Sequence, residues 1–340
     1  APMYISEFAP PGIRGRLVAF YQLSIVVGIL VAYLSNWLLN GYAMTHPGAF
    51  DGSWMHRVMV SEVWRAMFGV GALPAAAFLG LLLLMPETPR WLVKAGRREE
   101  ALAILSRIGG EDVARAELAE ITQAGEEEGG SIRELLRPGL RVALLVGLGL
   151  SIFGQFSGVN IVVYYGPRIL TGAAFSASVA LRCQVVLGLV NLLFTLVAIW
   201  KVDSWGRRPL LIWGMGVVAA SMAATAALYH FRAPSLAIVV LLCVYVACLA
   251  LSICGVIWVL TSEIFPNRVR GRAVSICIFA NWGANWLSAF IFPWYVEKLG
   301  LASGFLSFAV ICAVATVFFY VLVPETKGRS LEEIERHWAA

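Results

Sequence analysis

The feature that most constrains this chain is the recurrence of apolar stretches long enough to cross a bilayer. About 20 such residues in a helix span roughly 30 Å of hydrocarbon, at about 1.5 Å per residue. Eight stretches meet that length: 17–39, 63–85, 142–164, 179–200, 209–230, 236–260, 273–295 and 301–323. Within lipid every backbone polar group must be satisfied inside the segment, so the spans are helices and the fold class is an all-α polytopic membrane protein. The composition agrees. With 59% hydrophobic and 14% charged residues, a 340-residue chain has too little polar surface to wet as a soluble body.

A net charge of +5 would suggest nucleic acid as a partner of a soluble domain. Here the placement of the charges gives another cause. On the side of the N-terminus lie Arg14, Arg16, the nine basic residues from Arg90 to Arg141, Lys201, Arg207, Arg208, Arg268, Arg270, Arg272, Lys327, Arg329 and Arg336. Only Arg57, Arg65, Arg168, Arg182, Arg232 and Lys298 fall on or near the other side. The positive-inside rule therefore expects both visible termini in the cytoplasm and retires nucleic acid as a partner. All 21 acidic residues fall in loops or at span ends.

The six cysteines form no CxxC pair and sit in or beside apolar runs, and the four histidines are scattered. No disulfide, metal or cofactor is expected. The chain has no Gly-x-x-x-x-Gly-Lys-[Ser/Thr] phosphate loop and no assembled nucleophile, base and orienter, so no enzyme is expected.

The water-soluble segment runs from Glu87 to Arg141. Ala101, Leu102, Leu105 and Ile108 recur at helical spacing, Leu118 and Ile121 mark a second amphipathic stretch, and Ser131-Ile132-Arg133-Glu134 fits a capping box opening a third. Gly125 to Gly130, with its three glutamates, reads as a solvated linker. The expected organisation is two helices in 1–86, a cytoplasmic linker with short amphipathic helices in 87–141, a six-helix bundle in 142–323 and a short tail in 324–340.

The chain also repeats itself. Ser6-Glu7, Pro10 and Arg14-Gly15-Arg16 return as Ser262-Glu263, Pro266 and Arg270-Gly271-Arg272 at a constant offset of 256. Each copy leads into two spans and a Pro-Glu-Thr, at Pro86-Glu87-Thr88 and Pro324-Glu325-Thr326. Four spans (142–260) precede the second copy within its own half, and none precedes the first. Equivalent halves imply about 120 further residues upstream and twelve spans in the intact protein, a plan of paired six-helix halves.

At these residues the chain resembles the sugar porter family of the major facilitator superfamily. The motifs that carry the likeness are Glu7 with Arg14-Gly15, Pro86-Glu87-Thr88-Pro89-Arg90, Asp203-Ser204-Trp205-Gly206-Arg207-Arg208, Glu263 with Arg270-Gly271, and Pro324-Glu325-Thr326-Lys327-Gly328. The resemblance covers all 340 residues as the family's helices five to twelve. Acid and base groups at helix ends can clamp two bundles together on one face and must part when that face opens. Glu7, Arg14, Glu87, Asp203, Arg207, Glu263, Arg270 and Glu325 are the candidates for such gating. Arg16, Arg208 and Arg272 fit the plainer role of setting topology and snorkelling to water.

Polar residues inside spans are costly and are binding-site candidates for that reason. Those of this chain are amides and aromatics, with no buried counter-ion for a charged ligand. A carboxamide supplies both donors and acceptors, which a neutral polyhydroxyl ligand requires. Asn281 and Asn285 are four apart, as are Asn160 and Tyr164, so each pair shares a helix face. Similarity to the family carries sugar contacts onto Gln22, Gln155, Asn160, Tyr164, Asn191, Trp258, Asn281, Trp282 and Asn285. Gln184 and Asn36 read instead as interhelical glue. Three departures from the family stand out: Gly154 where a glutamine is usual, Cys254-Gly255-Val256-Ile257-Trp258 without the usual proline hinge, and Asn281 where a longer amide is common.

The resemblance implies a carrier that moves a monosaccharide, hexose, pentose or similar polyol, by alternating access. It implies a multi-pass protein of the plasma (inner) membrane, working as a monomer, with a proton as coupling ion. Facilitated uniport is equally compatible with the residues present, because every acid lies at a boundary. A non-transporting sugar sensor is the alternative from another class.

Overall fold

The structure is a computed structural model that describes residues 4, 5, 8, 14–127, 132–137 and 139–327. Among the described residues every regular element is helical, and seven segments are long and apolar enough to cross a membrane. The chain forms two compact units, Ala1–Gly130 and Ser131–Ala340.

The first unit holds α1 (Arg14–Thr45) and α2 (Trp64–Leu82), each apolar around most of its circumference. Between them a single turn, Trp54–His56, runs into a π-helical turn, Arg57–Ser61. Glu62 follows and accepts from both Arg57, at 3.0 Å, and Arg65. Those guanidinium hydrogen bonds, Arg65 foremost, hold the Glu62 carboxyl below the ordinary carboxylate range. Beyond α2 the Thr88 hydroxyl accepts from Trp91 N at 3.3 Å and Pro89 occupies the first turn of α3 (Pro89–Lys94), a standard helix start. The amphipathic stretches become α4 (Arg98–Gly109) and α5 (Glu111–Glu127). Ala101 and Leu105 are buried as their spacing predicts, whereas Ile108 is exposed and Ala114 joins the buried set.

The second unit opens with a 3-10 turn, Ile132–Leu136. Ser131, expected to cap a helix here, lies outside the described residues. Then come α6 (Leu140–Phe156), α7 (Val159–Gly172), α8 (Ala177–Trp205) and α9 (Arg207–His230). The last three are α10 (Ser235–Leu251), α11 (Ile253–Glu263) and α12 (Asn267–Leu322). At 56 residues α12 would run to about 84 Å if straight, but Gly300 (φ 81°, ψ 166°) interrupts it. That break falls between the stretches 273–295 and 301–323.

Two apolar stretches that read as single spans are broken. The stretch 142–164 divides at Gly158, left-handed at φ 86°, where the Tyr245 hydroxyl donates to Ser157 O at 2.9 Å. The stretch 236–260 divides at Ser252 (φ −96°, ψ −105°), whose hydroxyl donates back to Cys248 O at 2.7 Å. A common core of Leu150, Met215, Tyr245, Phe265 and Phe319 holds these pieces together. Small residues permit the close approach, as at Gly147, where a Cβ would stand 2.7 Å from Cys277 Sγ.

Candidate functional site

Two polar clusters lie in the second unit. The first is uncharged. Because α7 restarts at Gly158, Asn160 comes to the first turn of a new helix beside the end of α6. Its Nδ2 donates to Gln155 Oε1 at 2.7 Å, and Gln155 Nε2 donates in turn to Asn281 Oδ1 on α12 at 2.8 Å. One turn further along α12, Asn285 Nδ2 reaches the Tyr164 hydroxyl at 3.5 Å. The two pairs picked out by their four-residue spacing are thus brought together.

Asn281 and Asn285 are 2% and 7% exposed, and Asn285 Oδ1 is sealed from solvent with no hydrogen-bond partner. Such an acceptor costs about 1–3 kcal/mol until a donor reaches it. Tyr165, next to Tyr164, is committed elsewhere, its hydroxyl donating to Ala289 O at 3.0 Å. Trp258 on α11 and Trp282 on α12 keep 38% and 58% of their surface exposed, so their rings can still pack on a ligand. Asn191 on α8 is half-buried, and Gln184 on the same helix is buried against Gly166. Gln22 is half-buried on α1 of the first unit.

The departures from the expected motifs have local causes. A Cβ on Gly154 would meet Ile253 Cγ1 at 3.2 Å and Ile257 Cδ1 at 3.4 Å, so this position is filled by the close approach of α11 to α6. A longer side chain there requires both isoleucines to move. Without a proline near Trp258, the bend in that region lies at Ser252 instead.

The second cluster is charged and gathers at helix ends. Gly206 (φ 87°) turns the chain into α9, and the Glu325 carboxylate caps that helix by accepting from Arg207 N at 3.1 Å and Arg208 N at 3.2 Å. Lys327 N adds a third bond to it at 2.9 Å. An alanine at 206 would bring its Cβ within 2.6 Å of Glu325 Oε2, so glycine serves both the dihedral and the space. Glu263 pairs with Arg207 at 3.2 Å and accepts from the Thr326 hydroxyl at 2.6 Å. Arg270 does not share this pair, since its Nε donates to Phe265 O at 3.1 Å. Glu87, in the first unit, is exposed and close enough to Arg97 and Tyr4 to act on them through its charge. Glu7 lies outside the described residues, as do the side chains of Arg14 and Asp203.

Gly158 and Tyr245 position these clusters and were not singled out by sequence, whereas Gly206 and Thr326 stood inside the motifs at 203–208 and 324–328 with no role of their own. The Ser-Gly pair at 157–158 is the one signal that could have marked the break in its apolar run.

The long apolar helices, broken where polar side chains converge, define a multi-pass integral membrane protein of the transporter class. The chain belongs to the sugar transporter family, whose profile, described as "Sugar (and other) transporter", matches residues 1–338. It is 38% identical over 337 residues to the arabinose-proton symporter of Bacillus subtilis, covering 98% of this chain and 70% of the relative. It is also 38% identical over 347 residues to the D-xylose-proton symporter of Escherichia coli K12, covering 99% of this chain and 68% of the relative. Among solved structures, the inward open conformation of the xylose transporter XylE from E. coli superimposes with a TM-score of 0.80 at 35% identity, covering 99% of this chain and 69% of the other.

Proposed function

We propose that the chain carries a neutral monosaccharide across the membrane by alternating access, coupled to proton symport. The observation that carries the substrate class is the Asn160–Gln155–Asn281 relay, uncharged and ending beside the unsatisfied Asn285 Oδ1. Sugar hydroxyls both donate and accept, and so can enter such a relay without leaving a buried charge. In this reading Gln155, Asn160, Tyr164, Asn191, Asn281 and Asn285 hydrogen-bond the sugar, and Trp258 and Trp282 pack against its C–H faces. Glu7, Arg14, Glu87, Asp203, Arg207, Glu263, Arg270 and Glu325 bias which face is open.

We count eight spans, taking the Gly300 break as the division of α12, in a plan of twelve. We place the protein in the plasma (inner) membrane with both visible ends cytoplasmic, acting as a monomer. Proton coupling rests on the symporter relatives. Facilitated diffusion is the second reading, since among the described residues no acid stands in the middle of an apolar stretch: Glu297 falls between the stretches 273–295 and 301–323, three residues before the Gly300 break.

Uptake of labelled D-xylose and L-arabinose into vesicles, with and without an inward proton gradient, tests both parts. Gradient-driven accumulation supports symport, equilibration without accumulation supports uniport, and no uptake of any neutral sugar overturns the proposal.

A further inference from the structure

The charged cluster makes no use of the Arg208 side chain. Its backbone N–H serves the Glu325 cap, but its guanidinium turns the other way. Nη2 donates to Tyr320 O at 2.7 Å and the group lies 5.6 Å over the Tyr320 ring. Nε is shielded from water without a partner, and among the described residues no carboxylate pairs with this cation. Glu325 is near, yet its oxygens are already taken by three backbone N–H groups. The guanidinium is held in place without a salt bridge to any described residue.

Arg208, Pro209, Ile212, Trp213, Tyr320 and Glu325 line a hollow of about 380 Å³ between the start of α9 and the end of α12. Its outer walls are aromatic and open, with Trp213 77% and Tyr320 63% exposed. Arg208 and Ile212 are one turn apart, so the hollow runs along α9 from a cationic end toward apolar surface. A second cation–aromatic pair, Lys201 over Trp200 at 3.8 Å, stands at the end of α8. Aromatic residues beside basic ones at span ends mark the level of lipid headgroups.

We propose that this hollow holds an anionic phospholipid of the leaflet in which α9 begins, its phosphate on the Arg208 guanidinium and an acyl chain along Ile212 and Trp213. Guanidinium and phosphate form strong charge-assisted hydrogen bonds, and the Tyr320 contacts fix the fork beforehand. An apolar trough continuing from the cation is what distinguishes a lipid from a free anion.

The test is native mass spectrometry of the full chain released from nanodiscs of mixed phosphatidylglycerol and phosphatidylcholine. The wild type should retain phosphatidylglycerol about five-fold over phosphatidylcholine, the preference of roughly one basic residue at a membrane surface. Arg208→Gln should bring the ratio close to one with its helical circular dichroism unchanged, and Arg208→Lys should keep a preference. Equal retention by the wild type, or a preference that survives in Arg208→Gln, overturns the proposal. So does displacement of the lipid by inorganic phosphate, which would assign the hollow to a free anion. Should Arg208→Gln fail to fold, the wild type decides by salt: a preference that fades by about 0.5 M supports the contact, and one indifferent to salt refutes it.

Discussion

The two polar clusters of the second unit differ in what they leave unsatisfied. At the helix ends, Glu325 accepts three backbone N–H groups, and Glu263 is bound by both Arg207 and Thr326. Within the spans, neutral amides bond in series and one buried acceptor has no donor. A charge drawn out of water needs strong partners, so the two glutamates of the charged cluster are built into a latch. A buried amide is a smaller burden, so a site can hold one open acceptor in readiness for a ligand. In the charged cluster the carboxylates are fully committed, although Arg208 Nε and Arg270 Nη2 beside them have no partner, whereas in the amide cluster it is an acceptor, Asn285 Oδ1, that stays open.

Breaking the latch should cost most. Gly206→Ala meets both the positive φ and the Glu325 carboxylate, and should destabilise the protein by about 2–4 kcal/mol, read as a lowered melting temperature in detergent. Glu263→Gln removes the charge that faces Arg207 while keeping the shape. At a site partly open to water the expected loss is about 1–2 kcal/mol by the same assay.

The amide cluster should respond in the opposite sense. Asn160→Ala is expected to move the melting temperature little and to weaken monosaccharide binding about ten-fold, measured by calorimetry. If binding is unaffected while stability falls, the relay is glue and the contrast between the clusters collapses.

The exposed Glu62 clamp gives the smallest effect. Its carboxyl is held below the ordinary value of 4.5, so its contribution is present above that pH and is lost as pH falls through the lowered value. The melting-temperature gap between wild type and Glu62→Gln should hold from about pH 7 to about pH 5 and close below that. A gap that widened on acidification would reverse the sign.

Much of the fold was legible because membrane spans announce themselves by length. The periodicity that buries Ala101 and Leu105 was equally plain. The breaks at Gly158 and Ser252 were hidden, since apolar residues run straight through both and each is fixed by a distant or local hydroxyl. Asn281 and Asn285 showed their shared face by spacing alone, whereas the Gln155 link to Asn281 joins residues 126 apart and needed the packing of α6 on α12. The motif residues were visible but their work was not. Nothing in Pro324-Glu325-Thr326 says that its glutamate caps a helix 118 residues earlier.

The central claim is that an uncharged, incompletely bonded amide cluster selects a neutral sugar. Calorimetric titration of the purified chain with D-xylose and with D-glucuronate, for wild type and Asn281→Ala, tests it most directly. The account predicts that wild type binds the neutral sugar, that the acid binds at least about a hundred-fold more weakly, and that Asn281→Ala weakens the neutral sugar about ten-fold. Glucuronate binding as tight as xylose, or xylose binding indifferent to Asn281→Ala, would contradict it.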